Sequence, residues 1–200
     1  YVQRVSLSEE ADPDTLAGGA DAKPGIWVVR EADDNDRKRA FCRETGLAYR
    51  VLADHDLRGF PVPPDDATPV QGKKVIVTGS FDWLHTGHVR FFEETSALGA
   101  LYVVVGHDRN IALLKGEGHP LFGQDERRYM VQAIRYVRQT FISSVSGWMD
   151  AEPEIERIQP DIYAVNEDGD RPEKRVFCAQ HGLDYVVLKR TPKAGLPRRE

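Results

Sequence analysis

The amino-acid sequence predicts an α/β fold, namely a doubly wound parallel sheet preceded by a smaller α/β half-domain. Two observations carry this prediction. From residue 73 onward, short β-branched and apolar runs alternate with segments of helical periodicity, a pattern typical of parallel sheets covered by helices. In addition, a stretch of 28 residues near the start of the chain returns near its end, so part of the fold is present twice.

The order of the elements follows from hydrophobic patterning and from glycine stops. The run VIVTG predicts a strand that ends at Gly79, and helical spacing follows over 89–98 before Gly99. The remaining predicted elements are the strand LYVVVG, a loop, a helix over about 125–137, the strand TFISSV, a helix over about 152–158, the strand IYAV, a helix over 173–181 and the strand YVVL.

The repeat defines the predicted domains. When Gly25–Leu52 is placed over Asp161–Leu188 without a gap, 13 of 28 positions are identical, whereas average residue usage would give roughly two. Each copy predicts a βαβ unit whose helix ends at a glycine. The segment Asp56–Lys74 is rich in Pro, Asp and Gly and predicts a linker. We therefore expect a degenerate half-domain over 1–70, repeating part of 137–200, and a larger domain over 71–200.

The composition limits the classes of protein to consider. The chain has 200 residues, of which 40% are hydrophobic and 30% charged, as in ordinary globular domains. The apolar runs have strand length and no apolar leader opens the chain, so we expect a cytoplasmic protein without membrane association. A net charge of -5 argues against nucleic-acid binding. Cys42 and Cys178 lack partners at metal-ligand spacing and are expected to be buried thiols in helices.

The segment GSFDWLHTGH joins the first strand of the larger domain to its first helix. His85 and His88 are three residues apart at the predicted start of that helix, so both imidazoles can reach the same small volume. A helix N-terminus offers unpaired N–H groups and a positive dipole end, and Gly79 and Gly87 allow close backbone approach. The turn therefore predicts an anion site. Metal ligation by the two histidines is the alternative, but it needs a third ligand that the spacing does not supply.

The motif and the features after it resemble a known family. Thr78–His88 resembles the TxGxFDxxHxGH form of the HxGH nucleotidyltransferase superfamily, in its cytidylyltransferase branch. Glycerol-3-phosphate and phosphoethanolamine cytidylyltransferases typify that branch. The later features in family order are VVVGHDRN, Lys115-Gly116, Glu126-Arg127, IRYV, the strand DIYAV with Asp168 beyond it, and Arg190-Thr191. This resemblance implies a Rossmann-like nucleotidyltransferase domain over about 73–191.

The resemblance also implies a reaction and roles for individual residues. Such enzymes transfer a nucleotidyl group, here CMP from CTP, to a small phosphorylated or phosphonylated acceptor and release pyrophosphate. His85 and His88 would contact the triphosphate, and Lys115 would close over it from a glycine-flanked mobile loop. Magnesium is expected with the triphosphate rather than in a protein cage. Arg127, with Arg135 as a secondary candidate on the same helix face, would neutralise phosphates. The residues expected to bind the nucleotide are Gly79, Ser80, Phe81, Gly87, Asp168, Arg190 and Thr191.

Several alternatives stay open at this stage. Lys115 could be an ordinary solvated loop lysine, and Asp82 is better explained as a partner of backbone N–H groups than as a catalyst. The segment NEDGDRPEK departs from the family pattern, with Asp168 as the one match, so base and acceptor choice are undetermined. An adenylyltransferase of the pantetheine-phosphate or nicotinamide-nucleotide type, or a non-catalytic nucleotide-binding module, would fit as well. A homodimer is a further possible arrangement.

Overall fold

The structure is a computed structural model that describes residues 12–15 and 25–189. The chain divides into two compact units between Gly59 and Phe60. The segment that the sequence assigns to a linker continues along the second unit, where the backbone N–H of Asp66 donates to Oε1 of Gln139 at 3.2 Å. No helix among the described residues is long and apolar enough to cross a membrane.

The first unit is a single βαβ element. Strand β1 (Ile26–Arg30) is followed by helix α1 (Asp36–Thr45) and strand β2 (Ala48–Leu52), and the two strands pair in parallel. Helix α1 ends at Gly46, whose φ of 73° lies in the left-handed region, where glycine is favoured. This is the unit that the repeat predicts.

The second unit contains a five-stranded sheet in the order β5-β4-β3-β6-β7, with all neighbours parallel. This confirms the predicted doubly wound α/β fold. Its elements are β3 (Lys74–Gly79), α2 (Thr86–Ser96), β4 (Ala100–Val105), α3 (Asp108–Lys115), α4 (Gln124–Gln132), β5 (Val137–Ile142), α5 (Glu152–Ile158), β6 (Ile162–Asn166), α6 (Pro172–His181) and β7 (Asp184–Leu188).

Hydrophobic packing on both faces of the sheet explains its apolar strands. Val75 and Val77 point into one core, and Ile76 between them points into the other, because successive side chains of a strand alternate between faces. Phe92 of α2 fills the first core and Phe177 of α6 the second. The carboxyl ends of the strands are thereby held in fixed register beneath the loops that follow them.

Several expected elements differ from the structure in type or in bounds. Helix α3 occupies part of the segment expected to be a loop, and helix α4 ends at Gln132 rather than near residue 137. Strand β5 begins at Val137 instead of at Thr140. Because the polar residues of Val137–Ile142 pack at a sheet edge, their pattern gave a weaker strand signal than the apolar run TFISSV.

The duplication extends from sequence to contacts. Each element of β1–α1–β2 has its counterpart in β6–α6–β7 at a constant offset of 136 residues. The side chains repeat as well, because Tyr185 donates to Oδ1 of Asp170 at 3.0 Å and Tyr49 donates to Oδ1 of Asp34 at 3.0 Å. In each copy an arginine pairs with that aspartate and lies over the tyrosine ring. The two copies therefore share their internal packing.

Candidate active site

The two histidines sit where β3 turns into α2. His85 is the N-cap of the helix, and its Nδ1 accepts a hydrogen bond from the backbone N–H of Gly87 at 3.0 Å. The backbone N–H of His85 donates to Nδ1 of His88 at 3.4 Å, and the ring centroids are 4.1 Å apart. A nitrogen that accepts a hydrogen bond carries no proton, so in the neutral rings Nε2 bears it. Both Nε2 atoms are thus donors for an anion.

The loop before the helix places an aromatic ring beneath the second histidine. Phe81 has a φ of 47°, and its buried ring packs against Phe92 at 5.2 Å and edge-on to His88 at 5.4 Å between centroids. A Cβ at Gly79 would lie 2.9 Å from that ring. Glycine is therefore required at the end of β3 for the ring to support His88.

A cavity of about 410 Å³ opens at the carboxyl ends of β3, β4 and β6. The chain runs outward from β3 through β4 to β5 and then returns to β6 on the other side of β3. Ligands of open α/β sheets bind at such a reversal of strand order. Of the residues predicted from sequence, the cavity is lined by Gly79, Ser80, Phe81, His88, Lys115 and Asp168.

Lys115 borders the cavity, but from a helix rather than from a loop. It is the last residue of α3, and the helix ends at Gly116, whose φ is 90°. The expected placement of Lys115 on a mobile loop is therefore corrected. Helix α3 begins after the carboxyl end of β4, so Lys115 lines the cavity from the last residue of a helix of eight residues.

Arg127 has a different environment from the one expected. Its side chain is fully buried and donates to the carbonyl oxygens of Phe122 at 2.8 Å, Ser80 at 2.5 Å and Gly106 at 2.8 Å. It also pairs with Asp108 at 2.7 Å. The guanidinium therefore joins the loops after β3 and β4 to the start of α4. The guanidinium thus positions these loops, and its contact with phosphates stays a prediction.

The remaining predicted residues divide into three cases. Arg135 is exposed in the turn after α4, so it does not share a helix face with Arg127 as expected. Gly87 is buried in the first turn of α2. Arg190 and Thr191 lie outside the described residues.

Asp82 anchors the loop between α3 and α4. Its buried carboxylate accepts backbone N–H bonds from Leu121 at 2.6 Å and Phe122 at 3.3 Å. Burial alone would raise the pKa of Asp82, but His119 and these N–H groups outweigh it and hold the pKa below its usual value. This is the structural role that the sequence favoured, although the donors belong to a distant loop.

Sequence reasoning missed several lining residues, among them five with polar or charged side chains. Nδ2 of the buried Asn110 donates to Asp150 at 2.8 Å and to the carbonyl of Gly147 at 3.1 Å, which fixes the turn after β5. Asn110 lies in the segment VVVGHDRN, and Lys174 lies in the repeat, so both carried a signal. These five are Asn110, Trp148, Asp150, Arg171 and Lys174.

The metal alternative gains no third ligand at the histidine turn. Among the described residues, one group of three His, Cys, Asp or Glu side chains brings its ligand atoms within 4.8 Å of one another, and it consists of Glu152, Glu156 and His181. That group contains neither His85 nor His88. The paired imidazoles are thus left as hydrogen-bond donors at a helix N-terminus, which suits an anion.

The fold and the paired histidines define a nucleotidyltransferase. The chain belongs to the cytidylyltransferase-like family, whose model matches residues 76–189, and this confirms the family resemblance.

Named relatives and one solved structure agree with this assignment. The chain is 37% identical over 120 residues to an FAD synthase of Ferroglobus placidus, covering 58% of this chain and 75% of that protein. It is 36% identical over 119 residues to an FAD synthase of Thermococcus kodakarensis, covering 58% and 78%. A lipopolysaccharide core biosynthesis protein from Thermoplasma volcanium shares the fold, with a TM-score of 0.50, 22% identity and coverage of 60% of this chain and 98% of that one.

Proposed function

We propose that this nucleotidyltransferase joins the phosphate of a small acceptor to the α-phosphorus of a nucleoside triphosphate. An acceptor phosphate oxygen forms the new bond, the bond from the α-phosphorus to the bridging oxygen breaks, and pyrophosphate leaves with the electron pair. The nucleophile is already ionised at neutral pH, so no general base is needed. Catalysis then depends on positioning and on neutralising charge.

The observation that carries the proposal is the set of donors at the cavity. His88 and Lys115 line the same cavity, and α2 begins beside it. A triphosphate with its phosphates at the start of α2 would receive hydrogen bonds from His88 and His85 and charge from Lys115. These donors strengthen their contacts as negative charge moves onto the leaving pyrophosphate.

For the transferred group, AMP from ATP is the first candidate. The FAD synthase relatives support it, because FAD contains an adenylyl group attached to a flavin phosphate. CMP from CTP is the second candidate, and the form of the motif over Thr78–His88 supports it. Both candidates need the same phosphate site and differ in the base, so one experiment separates them.

Magnesium fits the site as a companion of the triphosphate. Asp150 and Asp168 are the carboxylates that line the cavity, and Asp150 already accepts a hydrogen bond from Asn110. Few protein oxygens are thus offered, which suits an ion held mainly by phosphate oxygens. When bound, the ion would neutralise charge on the triphosphate.

A homodimer remains a prediction that light scattering would test.

The proposal is tested with ATP and CTP labelled on the α- or γ-phosphate, in the presence of magnesium and a panel of phosphate monoesters that includes FMN and glycerol 3-phosphate. We expect the α-label to appear in a product with one acceptor and the γ-label to appear in pyrophosphate. His88→Ala serves as the control and should slow both the transfer of the α-label and the release of labelled pyrophosphate. If nucleotides bind but no α-label moves to any acceptor, the chain is a binding module instead.

A further inference from the structure

We propose that Lys174 and the N-terminus of α6 form a second anion subsite, which binds the phosphate of the acceptor. The inference rests on the proposed function, in which two anionic phosphates must come together. Their mutual repulsion requires a cation for the acceptor as well as for the triphosphate. Arg127 was the sequence-based candidate for this task, but its donors are directed to buried carbonyls and to Asp108. Lys174 is another cation at the cavity that can take this task.

Lys174 lines the cavity and is buried. Lys174 is 7% exposed. Among the described residues, its Nζ makes neither a hydrogen bond nor an ion pair within 4.0 Å. The nearest ring contact is the face of Tyr163, 5.6 Å from Nζ. Burial lowers the pKa of Lys174 and the nearby Asp150 partly opposes this. Since burial of an ammonium group is costly where its charge is only partly balanced, an anionic ligand in the cavity would stabilise Lys174.

The start of α6 adds backbone donors beside this lysine. The ten-residue helix begins at Pro172, and the side chain of its N-cap, Arg171, makes no capping hydrogen bond. Gly169, Arg171 and Lys174 all line the cavity, so the N-terminus of α6 faces it. The guanidinium of Arg171 stacks on Trp148 at 4.7 Å and brings a second cation to the same wall. The cavity thus has one helix N-terminus for each of two anions, α2 and α6.

In the first copy of the repeat, the equivalent lysine has partners within the protein. Lys38 occupies the equivalent position in α1, and its Nζ donates to the carbonyl of Asp33 at 2.7 Å and lies 3.6 Å from Asp14. The N-cap Asn35 accepts from the backbone N–H of Lys38 at 2.9 Å. Both the lysine and its helix are therefore satisfied internally in that copy. In the second copy neither is satisfied, although the surrounding Tyr–Asp–Arg contacts are the same.

Residue-specific amine labelling tests the subsite directly. The intact protein is treated briefly with acetic anhydride at increasing concentrations of inorganic phosphate, against sodium chloride of equal ionic strength, and each lysine is followed by peptide mass spectrometry. We expect phosphate to slow acetylation of Lys174 by at least about tenfold at saturation, because the ammonium group must first lose the bound phosphate before it can react. Acetylation of Lys38 should not change. If phosphate protects Lys174 from acetylation equally well in His88→Ala, the protecting phosphate binds at this subsite and not at the triphosphate site.

A pair of matched variants gives the second measurement. Lys174→Met keeps the side-chain length without the charge, and Lys38→Met is the control at the equivalent position. We expect Lys174→Met to raise the KM for the acceptor found in the transfer assay at least about tenfold, the equivalent of one charge-assisted hydrogen bond, with the KM for the triphosphate unchanged. Lys174→Arg should restore part of the affinity, and Lys38→Met should leave both values unaltered.

The results distinguish the subsite from the proposed function. Protection of Lys174 in a chain that transfers no nucleotidyl group would retain the subsite and reject the function. Transfer without protection of Lys174 in the wild-type protein would overturn the subsite alone, whatever the stability of the variants. Equal protection of Lys38 and Lys174 would also overturn it.

Discussion

Nδ1 of His119 lies 2.8 Å from Oδ2 of Asp82, which fastens the loop between α3 and α4 to the turn that carries the paired histidines. The loop begins directly after Lys115, so the same contact sets where α3 ends relative to the cavity. We predict that Asp82→Asn loosens this loop and lowers the free energy of unfolding by about 2 kcal/mol, the value of a charge-assisted hydrogen bond. Urea denaturation at pH 7 measures the loss.

The effect of Asp82 should depend on pH in a defined direction. Because the folded-state pKa of Asp82 lies below its ordinary value of 3.8, its ionised form stabilises the fold above that value, and the contribution disappears as pH falls through the lower folded-state pKa. The difference in unfolding free energy between wild type and Asp82→Asn should therefore be constant from pH 5 to 7 and shrink in acid. A difference that grows as the pH falls below 3.8 would contradict this assignment.

The capping and the chemical roles of the histidine turn can be separated. Asn is a good N-cap, so His85→Asn should retain the start of α2 and change the unfolding free energy by less than about 0.5 kcal/mol while lowering the transfer rate. His88→Ala removes a donor aimed at the triphosphate, and we expect the rate to fall about 100- to 1000-fold. Single-turnover kinetics measures both rates. Full activity in His88→Ala with an unchanged melting temperature would reject the role of His88.

Substitution of Arg127 should lower the free energy of unfolding, because its buried side chain holds loops together. Arg127→Met leaves the carbonyls of Ser80, Gly106 and Phe122 without their donor, and we expect the free energy of unfolding to fall by about 3–5 kcal/mol. Arg109→Met, at an exposed position of α3, is the matched control and should change it by less than about 0.5 kcal/mol. If the two variants were equally stable, the buried network would not be what holds the loops together.

The two thiols should be unreactive in the folded protein. Cys42 in α1 and Cys178 in α6 are each 1% exposed, and both are free. Burial raises the pKa of Cys42 and raises that of Cys178 to about 11, so little thiolate exists at pH 8. Ellman's reagent at pH 8 should label neither thiol in the native state and both in urea. Rapid labelling of Cys178 in native protein would show that α6 opens.

The parallel sheet and the repeat could be predicted because each depends on strong local signals. The apolar runs of β3 and β4 are buried on both faces, and the 28-residue duplication needs no knowledge of packing. Helix α3 was missed because it has eight residues and begins with the polar run Asp108–Asn110. Its N-cap is His107, whose Nδ1 accepts from the backbone N–H of Asn110 at 3.2 Å, and histidine is not among the residues usually preferred there.

The part of the site that could be predicted is the part formed by a local sequence motif. The part that could not be predicted depends on which distant residues surround a buried side chain. The HTGH turn is local, so the helix start and its paired imidazoles follow from the sequence. Whether an arginine meets phosphate or carbonyl oxygens depends on residues far away in the chain, as Arg127 shows with Ser80, 47 positions earlier. The same holds for Lys174, whose copy Lys38 has the same local sequence pattern but internal partners.

The central claim is that the cavity beside α2 holds a triphosphate. A crystal structure with magnesium and a non-hydrolysable analogue of ATP or CTP tests it most directly. We expect the α- and β-phosphates within hydrogen-bond distance of Nε2 of His88, with Nζ of Lys115 on the opposite side. A nucleotide bound elsewhere, or one in this cavity whose phosphates point away from His88, would contradict the account.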